Sequence, residues 1–106
     1  MPTEEERRKL KKEYGDLFER VSKIFFEEDP VGLNFGDNAD EYDTEASTIL
    51  PRLRYCRSSA DTRTVIHEEF CRWFDAPTAG SIEKYTRVSE RVWDIWKQRG
   101  IGYPAA

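Results

Sequence analysis

Apolar side chains recur every three or four residues in four segments of this chain, and that period belongs to the α-helix. The first segment follows a capping box made by Thr3 and Glu6. Its apolar stripe consists of Leu10, Tyr14, Leu17, Phe18, Val21, Ile24 and Phe25. Pro30 ends the segment, because the residue before a proline is pushed out of the helical region. The pattern predicts one helix over residues 3–28, in which the stripe outweighs the roughly 1 kcal/mol that Gly15 costs.

A second helix is predicted over residues 38–55, starting at Asp37 or at Asn38, which with Glu41 would form a capping box. Pro51 either kinks this helix or splits it, because proline has no backbone N–H to donate. The preceding loop carries three apolar anchors, Val31, Leu33 and Phe35.

Two more helices are predicted over residues 59–75 and 81–99, the last ending at Gly100 in a left-handed C-cap. Four helices with short connections predict an all-α bundle or irregular array. A chain of 106 residues is long enough for one core, so residues 1–106 are expected to form a single domain.

Eight acidic residues and no basic residue lie between Lys23 and Arg52. The net charge of the whole chain is only −4, so the remainder is positively charged and the molecule is expected to be polarised. The eight acids are Glu27, Glu28, Asp29, Asp37, Asp40, Glu41, Asp43 and Glu45.

Part of this acidic run has a local cause. Asp37, Asp40 and Glu41 lie at a predicted helix start, where free N–H groups and the helix dipole favour negative charge by about 0.3–1 kcal/mol each. Asp43 and Glu45 lie further along, and Glu41 repels Glu45 one turn away. We therefore expect a cationic partner for them, supplied by the fold or by another molecule. The candidates within the chain are Arg52, Arg54, Arg57 and Arg63.

Metal binding is the main alternative for the same carboxylates. An EF-hand register that starts at Asn34 places Glu45 at the twelfth position but Ala39 at the sixth, where glycine is required. A different divalent-metal site, for a metal-binding protein or a hydrolase, would need the end of the first helix to approach the start of the second. Its ligands would be Asp40, Asp43, Glu27 and Glu28.

His67 is the only histidine, so a Ser-His-Asp triad or a multi-histidine site is excluded for this chain. Cys56 and Cys71 form no CxxC pair and are expected to be reduced thiols. With His67 they offer three zinc ligands, whereas structural zinc needs four. Cys71 is expected to be buried, and the alternative is a nucleophile with His67 as its base.

Trp73 and Trp93 lie one position off the apolar stripes of their helices, whereas Trp96 falls on its stripe and is expected in the core. At least one of the first two is expected at an interface, although a wide apolar face would bury both. No cofactor, nucleic-acid partner or membrane span is expected, because the corresponding motifs and apolar lengths are missing. A cytoplasmic location follows as the expectation.

The segment "DPVGLNFGDNADEYDTEASTIL", followed by "PRL" and a helix that ends in "FCRWF", resembles the small bacterial YugE-like family. The resemblance covers about residues 14–75. It implies an all-helical fold and carries over no catalytic residue. The matching residues are Asp29, Pro30, Val31, Gly32, Leu33, Asp40, Glu41, Tyr42 and Asp43, with Ile49 and Leu53 behind them.

We expect a non-catalytic module that binds another protein. A concrete version is an immunity-like neutraliser whose acidic face, residues 37–45, meets a basic surface such as the active site of a nuclease toxin. The alternative function is that of a carboxylate-dependent divalent-metal-binding protein or hydrolase, which would use the metal site described above. Self-association as a homodimer through Trp73 or Trp93 is the third expectation.

Overall fold

The computed structural model describes residues 3–32 and 41–102, and within these ranges the chain is all-α. The predicted fold class is confirmed. The described residues form six α-helices instead of the four predicted, together with two short 3₁₀ helices, Leu50–Tyr55 and Ile82–Tyr85. The α-helices are α1 (Glu4–Tyr14), α2 (Leu17–Glu28), α3 (Asp43–Ile49), α4 (Ser59–Phe74), α5 (Ala76–Ala79) and α6 (Thr86–Gly102).

The predicted first helix is divided at Gly15, so the expectation of one helix over residues 3–28 is wrong. Gly15 has φ 62° and ψ −133°, and its N–H donates to the Lys11 carbonyl at 2.8 Å. Only glycine adopts this conformation without strain, because a Cβ at positive φ approaches the backbone too closely. The chain therefore turns between α1 and α2, and α1 packs against α2 instead of extending it.

The end of α2 agrees with the prediction from Pro30. Asp29 takes the left-handed conformation at φ 47°, and its N–H donates to the Phe25 carbonyl at 2.8 Å. The anchors Leu33 and Phe35 and the N-cap Asn38 lie outside the described residues.

Pro51 splits the predicted second helix. It stands at the start of the 3₁₀ helix, where the missing N–H would have no partner in any case. The prediction for α4 is correct to within one residue, with Ser58 accepting a hydrogen bond from the Asp61 N–H at 3.1 Å. The helix predicted over residues 81–99 begins too early, because the 3₁₀ helix Ile82–Tyr85 precedes α6. It also ends too early, because α6 continues past Gly100 to Gly102.

The core is organised around Phe70 of α4, which is fully buried. Its ring lies 5.3 Å from that of Phe25, 5.8 Å from that of Tyr42 and 5.2 Å from that of Tyr85, measured between centroids. Burying each such side chain contributes about 2–3 kcal/mol. These contacts fix the position of Tyr42 and thereby place the residue that follows it, Asp43, at the start of α3.

None of the helices in the described ranges combines the length and apolar character that crossing a membrane requires.

Candidate functional site

Asp43 is buried, although sequence reasoning placed it on an acidic face. Only 4% of its surface is exposed. One carboxylate oxygen accepts a hydrogen bond from the Ser22 hydroxyl of α2, and the other lies 2.6 Å from Nη2 of Arg7 on α1. Asp43 therefore connects three helices, and its charge is compensated inside the fold.

The arginine that pairs with Asp43 is not among those expected. Arg52 instead binds Glu69 at 2.8 Å and Glu68 at 2.6 Å. Arg7 and Ser22 were missed, because no spacing rule relates residues so far apart in sequence.

Glu45 is also buried, with 5% exposure, and it has a different environment. Its Oε1 has no hydrogen-bond partner among the described residues. Burial raises the pKa of Glu45, and the nearby charge of Asp43 adds to the effect. The protonated, uncharged form is therefore favoured by the folded state, and Glu45 does not contribute to an exposed charged surface.

Of the other predicted acidic-face residues, Asp37 and Asp40 lie outside the described residues. Glu41 is half-buried, and its Oε2 has no hydrogen-bond partner in the described part of the chain. Two of the five expected carboxylates, Asp43 and Glu45, are thus removed from the surface by packing.

Three of the four carboxylates of the metal alternative, Asp43, Glu27 and Glu28, pair with arginines, and the fourth, Asp40, lies outside the described residues. Glu27 lies 2.7 Å from Arg91, and Glu28 lies 3.0 Å from Arg91 and 3.3 Å from Arg87. The hydrogen bond from Arg91 lowers the pKa of Glu27. Across residues 3–32 and 41–102, no three His, Cys, Asp or Glu side chains come together where they could hold a metal ion.

His67 and Cys71 are close, but their hydrogen bonding does not fit a base and its nucleophile. The Nε2 atom of His67 lies 2.8 Å from the Gly80 carbonyl oxygen and 3.5 Å from the Cys71 Sγ. A carbonyl oxygen can only accept, so Nε2 carries the hydrogen and cannot take a proton from the thiol. Cys56 is a free, buried thiol, and burial raises its pKa.

Trp73 is the exposed tryptophan of the predicted pair, with 44% exposure, and its indole N–H donates to the Thr48 hydroxyl at 3.1 Å. Trp93 is partly buried against the core, as is Trp96. Tyr55 is exposed to 76% and was not singled out from the sequence. The hydrogen bond fixes the Trp73 ring without burying it.

Two grooves border α2. The first, of about 410 Å³, is lined by Arg7, Glu19, Ser22, Lys23, Phe26, Glu27 and Asp43. The second, of about 290 Å³, is lined by Arg20, Lys23, Ile24, Glu27, Arg91 and Ile95. Ser22 is 3% exposed and its hydroxyl hydrogen is directed to Asp43, so this serine is not available as a nucleophile in the first groove.

The two segments that carry the YugE-like resemblance contact each other. The Tyr42 hydroxyl donates to Asp29 at 2.7 Å and accepts from the Val31 N–H at 3.4 Å. Searches of family models, curated proteins and solved structures found no match to this chain. The YugE-like resemblance therefore stays a prediction from the sequence.

Proposed function

We propose that this chain is a non-catalytic protein-binding module whose contact surface is centred on Trp73. The observation that carries the proposal is an indole that is exposed to 44% and is anchored by a hydrogen bond to Thr48. Tryptophan is enriched among the residues that dominate binding energy at interfaces. A ring that is already fixed loses little conformational entropy when a partner covers it.

The surroundings of Trp73 fit the anatomy of an interface. Glu69 lies one helical turn before Trp73 on α4 and is paired with Arg52, which also binds the exposed Glu68. Glu69 is itself buried, so the exposed part of this rim is the ion pair between Arg52 and Glu68. An aromatic anchor beside an exposed ion pair matches the apolar centre and polar rim of known interfaces. Trp73 and its rim are therefore the part of the chain to which we assign partner binding.

The neutraliser version of this function depends on a smaller acidic face than the sequence suggested. Asp43 and Glu45 are buried, which leaves Asp37, Asp40 and Glu41 as the acids that would meet a basic partner. Variants of these three residues distinguish the neutraliser version from a Trp73 surface.

Photo-cross-linking tests the proposal. A benzoylphenylalanine at position 73 is expected to capture a specific protein from a lysate of the native host. The matched control places the same group at position 55, because Tyr55 is the more exposed aromatic residue. Capture of the same protein from both positions, or from neither, would count against a Trp73 surface.

Once a partner is captured, two variants separate the alternatives. Trp73→Ala is expected to weaken binding by about 2 kcal/mol, the level of an interface hot spot. A triple variant, Asp37→Asn with Asp40→Asn and Glu41→Gln, is expected to leave affinity unchanged. If the triple variant instead lowers the association rate and its salt dependence, the acidic face is the contact surface and the Trp73 proposal is wrong.

A further inference from the structure

The groove between α2 and α6 has an apolar floor and a charged rim. Ile24, which is 6% exposed, and the partly buried Ile95 form the floor. Arg20, Lys23, Glu27 and Arg91 surround it, and the groove encloses about 290 Å³. A ligand bound in this groove is therefore expected to be apolar at its centre and polar at its edge.

The rim is positively charged, because its described lining has three cations, Arg20, Lys23 and Arg91, and one carboxylate, Glu27. Arg91 is paired with Glu27 and Glu28. Arg20 and Lys23 stand on the same helix one turn apart, both are exposed, and neither forms an ion pair with another described residue. An unpaired cationic edge beside an apolar floor attracts a ligand that combines carboxylates with an apolar group.

We propose that this groove is a docking site for an acidic amphipathic segment of a partner protein. An apolar side chain of that segment lies on Ile24 and Ile95, and its carboxylates face Arg20 and Lys23. The proposal goes beyond the Trp73 surface, because it uses α2 and α6 and does not depend on α3 or α4.

The rim favours a peptide over a continuous polyanion. Glu27 lies on the rim, Glu28 shares its partner Arg91, and these carboxylates would repel the evenly spaced phosphates of a nucleic acid. Carboxylates on one face of a peptide helix can be spaced to reach Arg20 and Lys23 while avoiding the two glutamates. The apolar floor adds a requirement that a purely ionic ligand does not meet.

Fluorescence anisotropy tests the proposal with the full chain and a labelled amphipathic helical peptide of glutamate and leucine. Binding is expected, and the doubly reversed variant Arg20→Glu with Lys23→Glu is expected to weaken it about tenfold at low salt. The matched control is Lys9→Glu with Lys12→Glu. This pair is also exposed, lies one turn apart on α1 and changes the net charge by the same amount. The control is expected to bind as the wild type does.

Two further probes check the chemistry of the occupant. A peptide with lysine in place of glutamate is expected not to bind, and one with alanine in place of leucine is expected to bind about tenfold more weakly, since each buried methylene contributes about 0.8 kcal/mol. Three results would each overturn the proposal. They are failure of the glutamate–leucine peptide to bind, loss of the same amount of peptide affinity in the two charge variants, and binding of the lysine peptide as tightly as the glutamate–leucine peptide. Trp73→Ala is expected to leave peptide binding unchanged, so failure here is distinct from failure of the Trp73 surface.

Discussion

Replacement of Gly15 by L-alanine is expected to destabilise the protein by about 1–3 kcal/mol. Gly15 has φ 62° and ψ −133°, a conformation that L-residues rarely adopt. An added Cβ would meet no other heavy atom within 4 Å, so the cost arises from backbone strain alone and not from collision. If a continuous helix ran through this position, the same replacement would stabilise the protein, because alanine stabilises a helix interior by about 1 kcal/mol relative to glycine.

Replacement of Gly15 by D-alanine is the matched test, because inversion of both angles gives the polyproline II region, which an alanine favours. D-alanine is therefore expected to stabilise the fold by about 0.4–1 kcal/mol through restriction of the unfolded chain. In a continuous right-handed helix a D-residue would be unfavourable. Cys56, a free thiol, offers a ligation site for assembly of both synthetic chains.

Urea unfolding followed by circular dichroism measures both changes. The midpoint is expected to fall for L-alanine and rise for D-alanine at an unchanged slope, which would show that stability and not compactness has changed. For a domain of about this size, each kcal/mol corresponds to roughly 4 °C or more in Tm. Stabilisation by L-alanine together with destabilisation by D-alanine would refute the division between α1 and α2.

Two further predictions concern the buried acids. Asp43→Asn is expected to cost about 1.5–3 kcal/mol, because it removes a charged acceptor from Arg7 and Ser22. Glu19→Gln, which breaks an exposed pair with Lys11 at 3.5 Å, is its control and is expected to cost at most about 0.5 kcal/mol. If the two variants lowered the free energy of unfolding in urea by the same amount, Asp43 would not be a buried connection between the helices. For Glu45, burial raises the folded-state pKa, so its stabilising contribution is full below the unfolded pKa of about 4.3 and is lost as pH rises through the folded value. Glu45→Gln is therefore expected to be more stable than the wild type at pH 7, with an advantage that disappears below about pH 4. A difference that stays constant across a pH series would show that the Glu45 charge is not the cause.

The helices were predictable where their signals are local. The bounds of α4 follow from the Ser58 cap and an apolar stripe that includes Phe70, and the end of α2 follows from Pro30. Gly15 illustrates the opposite case. A glycine inside a helical pattern is compatible with either a continuous helix or a break, because it costs a helix interior only about 1 kcal/mol relative to alanine. The pattern alone therefore could not locate the turn between α1 and α2.

The candidate sites were less predictable, because they depend on which side chains meet across the fold. The repulsion between Glu41 and Glu45 predicted a cationic partner for Asp43 and Glu45; Arg7 pairs with Asp43, whereas Oε1 of the buried Glu45 has no hydrogen-bond partner among the described residues. The repulsion did not indicate that Asp43 would turn inward onto Arg7. The position of Trp73 off its apolar stripe predicted exposure, but the hydrogen bond that its indole N–H donates to Thr48 has no counterpart in the spacing of residues.

The sequence by itself determined the all-α class, the apolar faces and the places where proline stops a helix, since these properties depend on residues within one or two turns of each other. Tertiary structure decided which charges are exposed. Asp43 and Glu45 share the acidic run with Glu27 and Glu28, yet packing buries the first two and leaves the second two beside Arg91. Burial and pairing are set by helices that are distant in sequence, and such contacts leave no periodic signal in the chain.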